Sequence, residues 1–320
     1  MSLFPSIPPE EFDFQDILYE KKDLVARITI NRPEAYNAYT TNTLKELITA
    51  FNDASADDEV GVIVYTGAGE KAFCTGGDVK EYAEAYTQRP RDYWKYMGLF
   101  SGYIESIVRT GKVTIARLNG MAVGGGNESQ LACDLAVMAD DTFISQVGTS
   151  VGSVACGGAT QWLSIYVGDR RAREILFLNR RIPAQQALDW GLVNQVVPRE
   201  KLDEAVDDLA EQLLNKFPEC TRYTKAQLNY WKDAAWYGTI GHARDWLSTH
   251  FTSVEPYEGM TAFVEKRDAG YRALREKAAA GGSSEFLWGP YRHTCPKCGA
   301  KGIPAEFSYC GACGAELDGD

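Results

Sequence analysis

The stretch "VTIARLNGMAVGGGNESQLACDLAVMAD" (113–140) decides the fold class. Residues 113–120 have the apolar character of a buried strand. Gly124, Gly125 and Gly126 form a turn, and "NESQLACD" after them reads as a helix carrying Glu128 near its start. "DLAVMAD" (134–140) is a strand again. A strand, a glycine turn, a helix and another strand in immediate succession are the unit of an α/β fold with mostly parallel strands. The same grammar runs outward from there. "LVARITINR" (24–32) alternates as a strand, and "NTLKELITAFNDASAD" (42–57) carries apolar residues at helical spacing. "VGVIVYTGAG" (60–69) is a second buried strand, and "KAFCTGGDVKEYAEAY" (71–86) passes from a short strand through Gly76–Gly77 into a helix. Residues 90–110 read as helix, and 170–275 read as almost entirely helical, with "REKLDEAVDDLAEQLLNKF" (199–217) strongly amphipathic.

Bulk properties narrow the function classes. The chain has 320 residues, 45% of them hydrophobic, with a net charge of −11. An acidic surface repels phosphate backbones, so the expectation is no nucleic-acid partner. No apolar run is long enough for a membrane span. The N-terminal residues lack a basic start followed by an apolar stretch, so the expected location is cytoplasmic.

Glycine between a strand and a helix lets a backbone approach a ligand closely, and the first amides of a helix have no intrahelical acceptor. Two such turns, at Gly76–Gly77 and Gly124–Gly125–Gly126, could present two N–H groups to one oxygen that becomes negative during a reaction. The plainer reading is a pair of tight turns. Glu128, three residues beyond Gly125, stands over the same first helical turn; it either moves protons there or complements the helix dipole. The residues alone leave both pairs of readings open. Asp78, just after the first turn, reads as a helix cap.

Five segments in order, "NRPEAYNAYT", "AFCTGGDVKEY", "NGMAVGGGNESQLACDLAVMAD", "ALDWGLVNQVVP" and "EGMTAFVEKR" (258–267), resemble the enoyl-CoA hydratase/isomerase (crotonase) family over roughly residues 20–270. The resemblance implies a ClpP-like spiral of ββα units over residues 1–200, a helical trimerisation region over 201–275, and trimers or dimers of trimers. It also implies an acyl-CoA thioester as substrate, with Gly77 and Gly125 donating to its carbonyl and Glu128 in the place of the family's first catalytic glutamate. Thr75, Gly76 and Gly124 are implied to line the substrate site with Phe73 and Asp78. The coenzyme A moiety is implied to lie near Arg32–Ala35, with Phe263 near the adenine and Lys266 and Arg267 supplied by a neighbouring subunit.

The resemblance has departures. The position of the family's second glutamate falls in "FISQVGTSVGSVACGGATQW" (143–162) at Gly148. The pattern is closest to a branch acting on cyclic substrates, the 6-oxocyclohex-1-ene-1-carbonyl-CoA hydrolases and naphthoate synthases. That branch places an aspartate where this chain has Cys156, followed by Gly157–Gly158. Cys156 then reads as an apolar filler, a pocket-shaping residue or a reactive thiol, with Ser153 and Gln161 beside it to orient water or substrate. Tyr82, Tyr86, Trp94 and Tyr96 are candidates for the acyl pocket and equally for the core.

Beyond a Gly/Ser-rich linker (276–290), Cys295-x₂-Cys298 and Cys310-x₂-Cys313 stand eleven residues apart, each pair followed by glycine. In a chain without an export signal this spacing reads as a Cys₄ site, with structural Zn²⁺ as its usual occupant. A ribbon of residues 291–320 is too short to bury its own core, so the metal would supply its folding energy. A protein-docking or subunit-packing role is the expectation for it.

Overall fold

The computed structural model describes residues 5–282, 285–289 and 291–317. The parts of the expected linker and ribbon at 283–284, 290 and 318–320 lie outside the described residues.

Strand β1 (Ile17–Lys22) turns through Asp23 and Leu24, both with positive φ (50° and 64°), into β2 (Val25–Ile30). Two consecutive positive φ angles are what a two-residue hairpin with native twist requires. Then follow β3 (Val62–Gly67), β4 (Ala72–Cys74), β5 (Val113–Leu118), β6 (Met121–Val123), β7 (Leu135–Ala139), β8 (Phe143–Ser145), β9 (Ile182–Pro183) and β10 (Gln195–Val197). One sheet has the order β1-β2-β3-β5-β7-β10 and a second has β4-β6-β8-β9. From β2 onward, neighbours in the first sheet are parallel.

Each of the pairs β3–β4, β5–β6 and β7–β8 sends its first strand to the six-stranded sheet and its second to the other. A helix follows each pair: Pro90–Arg109, Gly125–Ala132 and Ala159–Val167. This repeat is the ββα arrangement expected above. The large sheet is covered on both faces, so all six residues of β3 are buried, as parallel strands generally are. Ile63 and Tyr65 face the main core with Leu44, Leu47, Phe51 and Tyr103. Val62 and Val64 face Leu202, Val206 and Ala210 of the helix Leu202–Leu214.

Two expectations change. The amphipathic helix, assigned by sequence to a separate region beginning at 201, packs on the core sheet, because its apolar stripe matches the outward residues of β3, β5 and β7. The stretch 170–275 is also not all helix, since β9 and β10 interrupt it. Strands of two or three residues carry too few positions for an alternation signal.

The helix Val254–Glu265 lies on the loop at Val151–Gly152. A Cβ at Gly259 would come within 2.4 Å of the Val151 carbonyl carbon, and one at Gly152 within 2.2 Å of the Glu255 oxygen. These two glycines set the helix directly on the backbone of its own chain. No helix among the described residues is long and apolar enough to cross a membrane.

Candidate active site

The two glycine turns meet. A Cβ on Gly76 would lie 2.8 Å from the Gly125 nitrogen, and one on Gly125 would lie 3.3 Å from the Gly76 Cα. Gly76 (φ 89°) and Gly124 (φ 56°, ψ −124°) occupy backbone conformations that side chains resist.

Hydrogen bonds then set the direction of the amides. The Gly76 carbonyl accepts from Tyr39 N–H at 2.9 Å. The Gly124 carbonyl accepts from Glu128 N–H at 3.1 Å and from Gln146 Nε2 at 3.3 Å. In a trans peptide the C=O and the next N–H point opposite ways, so pinning these carbonyls turns the Gly77 and Gly125 N–H groups away from them. Among the described residues neither N–H has a hydrogen-bond partner, and both glycines line one cavity of about 1200 Å³.

Glu128 lines the same cavity and is 4% exposed. Burial raises its pKa to about 7, opposed by the backbone amides of Ala159 and Gly157; the Ala159 N–H donates to Oε1 at 3.2 Å. Of the cavity's other carboxylates among the described residues, Glu34 is exposed, and Asp78 accepts from Lys80 and Glu81 N–H at 3.0 and 3.4 Å and pairs with Arg32 at 3.2 Å. Asp78 therefore caps a helix and fixes an arginine.

At Gly148 an added Cβ would meet the Ser153 carbonyl oxygen at 3.1 Å and the Ala155 nitrogen at 3.2 Å. A side chain there would be tight and would need the loop to give by a few tenths of an ångström. Cys156 is buried against the cavity, and burial, reinforced by the nearby Glu128 charge, holds its thiol well above the usual range. The direction of that shift favours the protonated thiol over the thiolate. The Gln161 amide group donates to the Cys156 carbonyl at 3.0 Å, and its oxygen accepts from Gly158 N–H at 3.1 Å. Gln161 thus shapes this loop and is not itself at the cavity.

The cavity also gathers Ala35, Thr75, Ser153, Phe263 and Lys266. Phe263 and Lys266 of this same chain line the cavity, whereas the resemblance implied Lys266 from a neighbouring subunit; the Gly152–Gly259 contacts bring their helix there. Arg267 is bound instead to Glu258 and Glu265, both at 2.6 Å. Phe73 does not reach the cavity: it is fully buried, with its ring edge-on to Tyr65 at 5.1 Å. Gly157 stands behind the wall, where a Cβ would strike Phe100 at 2.2 Å. Of the four aromatic candidates, Tyr82 alone lines the cavity. Tyr86 and Tyr96 are core, and Trp94 is exposed, donating to Asp245 at 2.9 Å.

The cavity wall also includes Tyr39, Tyr93, Met97, Phe100, Leu247 and Met260. Sequence reasoning did not single these out. Their helical spacing within 90–110 could have flagged Tyr93, Met97 and Phe100 as one face. Nothing local marks Leu247 or Met260.

Two amides without a protein partner beside a buried carboxyl suit stabilisation of an enolate formed from a thioester. The family described as enoyl-CoA hydratase/isomerase matches residues 20–273. The chain belongs to this family. Similar solved structures include several enoyl-CoA hydratases and hydratase/isomerases. An enoyl-CoA hydratase from Mycobacterium avium subsp. paratuberculosis is 26% identical, covering 80% of this chain and 98% of its own, with a TM-score of 0.73. An enoyl-CoA hydratase/isomerase from Xanthobacter autotrophicus is 29% identical, covering 83% and 98%, with a TM-score of 0.71. A carnitinyl-CoA hydratase from Mycobacterium avium is 30% identical, covering 81% and 99%, with a TM-score of 0.70. As a hydratase/isomerase-type chain, it has an acyl-CoA thioester as the consistent substrate.

The four C-terminal cysteines stand apart from this site. Their sulfurs all lie within 4.8 Å of one another, with Cys295–Cys313 at 3.6 Å and Cys298–Cys310 at 3.7 Å. A tetrahedral ion with metal–sulfur bonds of about 2.3 Å asks for sulfur separations close to these. The Cys298 N–H donates to the Cys295 sulfur at 3.5 Å, which favours a thiolate there. The set fits a metal ion and is compatible with zinc.

Proposed function

We propose that this protein hydrates an alicyclic or aromatic-derived enoyl-CoA. The observation that carries the reading is a single buried carboxylate, with a pKa near 7, beside two free amides on one cavity. In this mechanism the Gly77 and Gly125 N–H groups receive the thioester oxygen. Ionised Glu128 takes a proton from water as the water oxygen bonds to the β-carbon. The double-bond pair moves toward the thioester oxygen, giving an enolate held by the two amides. Glu128 then returns the same proton to the α-carbon, and a 3-hydroxyacyl-CoA leaves. One carboxylate completes the cycle, so Gly148 is no obstacle. The aromatic wall of Tyr39, Tyr82, Tyr93 and Phe100 supports a flat cyclic acyl group, and Lys80, Arg181 and Lys266 at the cavity support an anionic coenzyme A.

The "VGSVACGG" loop favours a second reading, hydrolytic ring opening of a cyclic oxo-acyl-CoA. Incubating the protein with cyclohex-1-ene-carbonyl-CoA and its 6-oxo analogue, followed by mass spectrometry, separates the two. Hydration of the first adds one water without a new carboxylate; ring opening of the second yields a dicarboxylic product. Consumption of neither sinks both.

We further assign Zn²⁺ to the four cysteines as a structural ion, and self-association as a trimer or dimer of trimers to the helix Pro218–Tyr237. That helix exposes Leu228, Tyr230 and Trp231 at 65–71%. Metal analysis is expected to give one zinc per chain. Chelation is expected to make residues 291–317 protease-sensitive while sedimentation still shows the oligomer. Protein free of metal, or a monomer before chelation, contradicts the respective assignment.

A further inference from the structure

Tyr39 joins the two halves of the glycine site. Its N–H holds the Gly76 carbonyl, and its own carbonyl accepts Asp78 N–H at 3.0 Å, so its backbone brackets Gly77. Its side chain crosses to the other turn. A Cβ built on Gly125 would lie 1.7 Å from the Tyr39 hydroxyl oxygen, which therefore rests directly on the Gly125 Cα. Cβ positions on a helix tilt toward its N-terminus, the direction in which the free first-turn amides also point. The hydroxyl thus packs on the first residue of that helix, at the cavity that Gly125 also lines.

Neighbouring tyrosines satisfy one another: Tyr65 with Tyr103 and Tyr82 with Tyr96, both at 2.6 Å. Tyr39 has no such bond among the described residues, although it is 1% exposed and lines the cavity. The hydroxyl is not among the fully buried polar atoms that lack a partner; it opens onto the cavity with no protein acceptor, so its O–H is available to a ligand there. Its ring is held in place by Phe100, stacked at 5.7 Å, and by Tyr103 at 5.8 Å.

We propose that the Tyr39 hydroxyl is a third hydrogen-bond donor to the thioester oxygen, beside the Gly77 and Gly125 amides. The proton stays on tyrosine throughout. Burial, followed by the nearby Tyr82, Cys74 and Glu128, holds this phenol well above its ordinary range, so it acts as a donor and never as a base. The proposal rests on the enolate reading above.

The test uses Tyr39→Phe in the full-length protein, which keeps the ring and its stacking. Two quantities are read: steady-state turnover of an enoyl-CoA, and the red shift of a bound chromophoric aryl-enoyl-CoA, which reports polarisation of its carbonyl. The expected result is a kcat lower by about 10²-fold, in the range seen for single oxyanion donors, with KM within about twofold and a clearly smaller red shift. Tyr103→Phe is the matched control: it deletes a buried hydroxyl next to Tyr39 that does not line the cavity, and the red shift is expected to stay as in the wild type. An unchanged kcat in Tyr39→Phe overturns the proposal. So does a lower kcat with an undiminished red shift, or an equal loss in Tyr103→Phe. If the wild type itself produces no red shift, the two-amide site falls and Tyr39 with it; a wild-type shift that survives in Tyr39→Phe removes Tyr39 alone.

Discussion

Glu128→Gln is expected to lower turnover of any enoyl-CoA that the protein accepts by about 10²–10⁴-fold, the usual share of a positioned proton-transfer group. Glutamine keeps the shape and the acceptor for Ala159 N–H, so the folded protein remains. The pH dependence supplies a second reading of the same group. Hydration needs the ionised form, and burial raises the pKa to about 7, so kcat/KM should fall on the acid side with a midpoint near pH 7. Stability runs the other way. A carboxyl whose pKa is higher when folded binds its proton more tightly in the native state, so ionisation works against folding. The penalty is absent below the unfolded value of 4.5, grows between 4.5 and about 7, and is complete above that. It amounts to roughly 3 kcal/mol, at 1.36 kcal/mol per pKa unit. Denaturant unfolding from pH 4.5 to 8 should therefore show a loss of stability with rising pH in the wild type that Glu128→Gln removes. Wild-type turnover in Glu128→Gln would end the assignment of this carboxylate.

Gly125→Ala is expected to reduce kcat by about 10²–10³-fold, the cost of one oxyanion donor. Intrinsic preference argues the opposite for stability, because alanine is favoured over glycine in helices by about 1 kcal/mol. The decision lies in the surroundings. The new methyl would sit 1.7 Å from the Tyr39 hydroxyl and 2.8 Å from the carbon bearing it. Both belong to a ring wedged between Phe100 and Tyr103, so the start of the helix must shift and its amide must turn from the thioester oxygen. Kinetics and thermal unfolding of the variant check this together. Full activity would show that the Gly125 amide is not where the charge develops.

Much of this site was legible before any coordinates. Glycine has a local meaning, so the two turns were readable from Gly76–Gly77 and Gly124–Gly126 and from the strand and helix on either side. The place of Glu128 on the first turn of its helix follows from helical spacing. The paired Cys-x₂-Cys spacing was equally local. Other assignments failed because the residue type carries no address. Phe73 is as apolar as a pocket residue, yet it points into the core against Tyr65. Trp94 and Tyr82 share an aromatic-rich stretch, yet one faces solvent and the other the cavity. Of the second sheet only β4 was read as a strand; β6, β8 and β9 escaped notice because they have three residues or fewer.

The sequence by itself determined where the chain turns, which segments alternate as strands and helices, and that one acid and two glycine clusters stand at helix starts; each depends on neighbours a few residues away. Only the tertiary structure decided that the two turns touch, that Tyr39 lies across both, that Phe263 and Lys266 reach their own chain's cavity, and that Glu128 is dry enough to titrate near neutrality. Those facts depend on contacts between residues tens to more than a hundred positions apart, and on exclusion of water by all of them together, which no local pattern encodes.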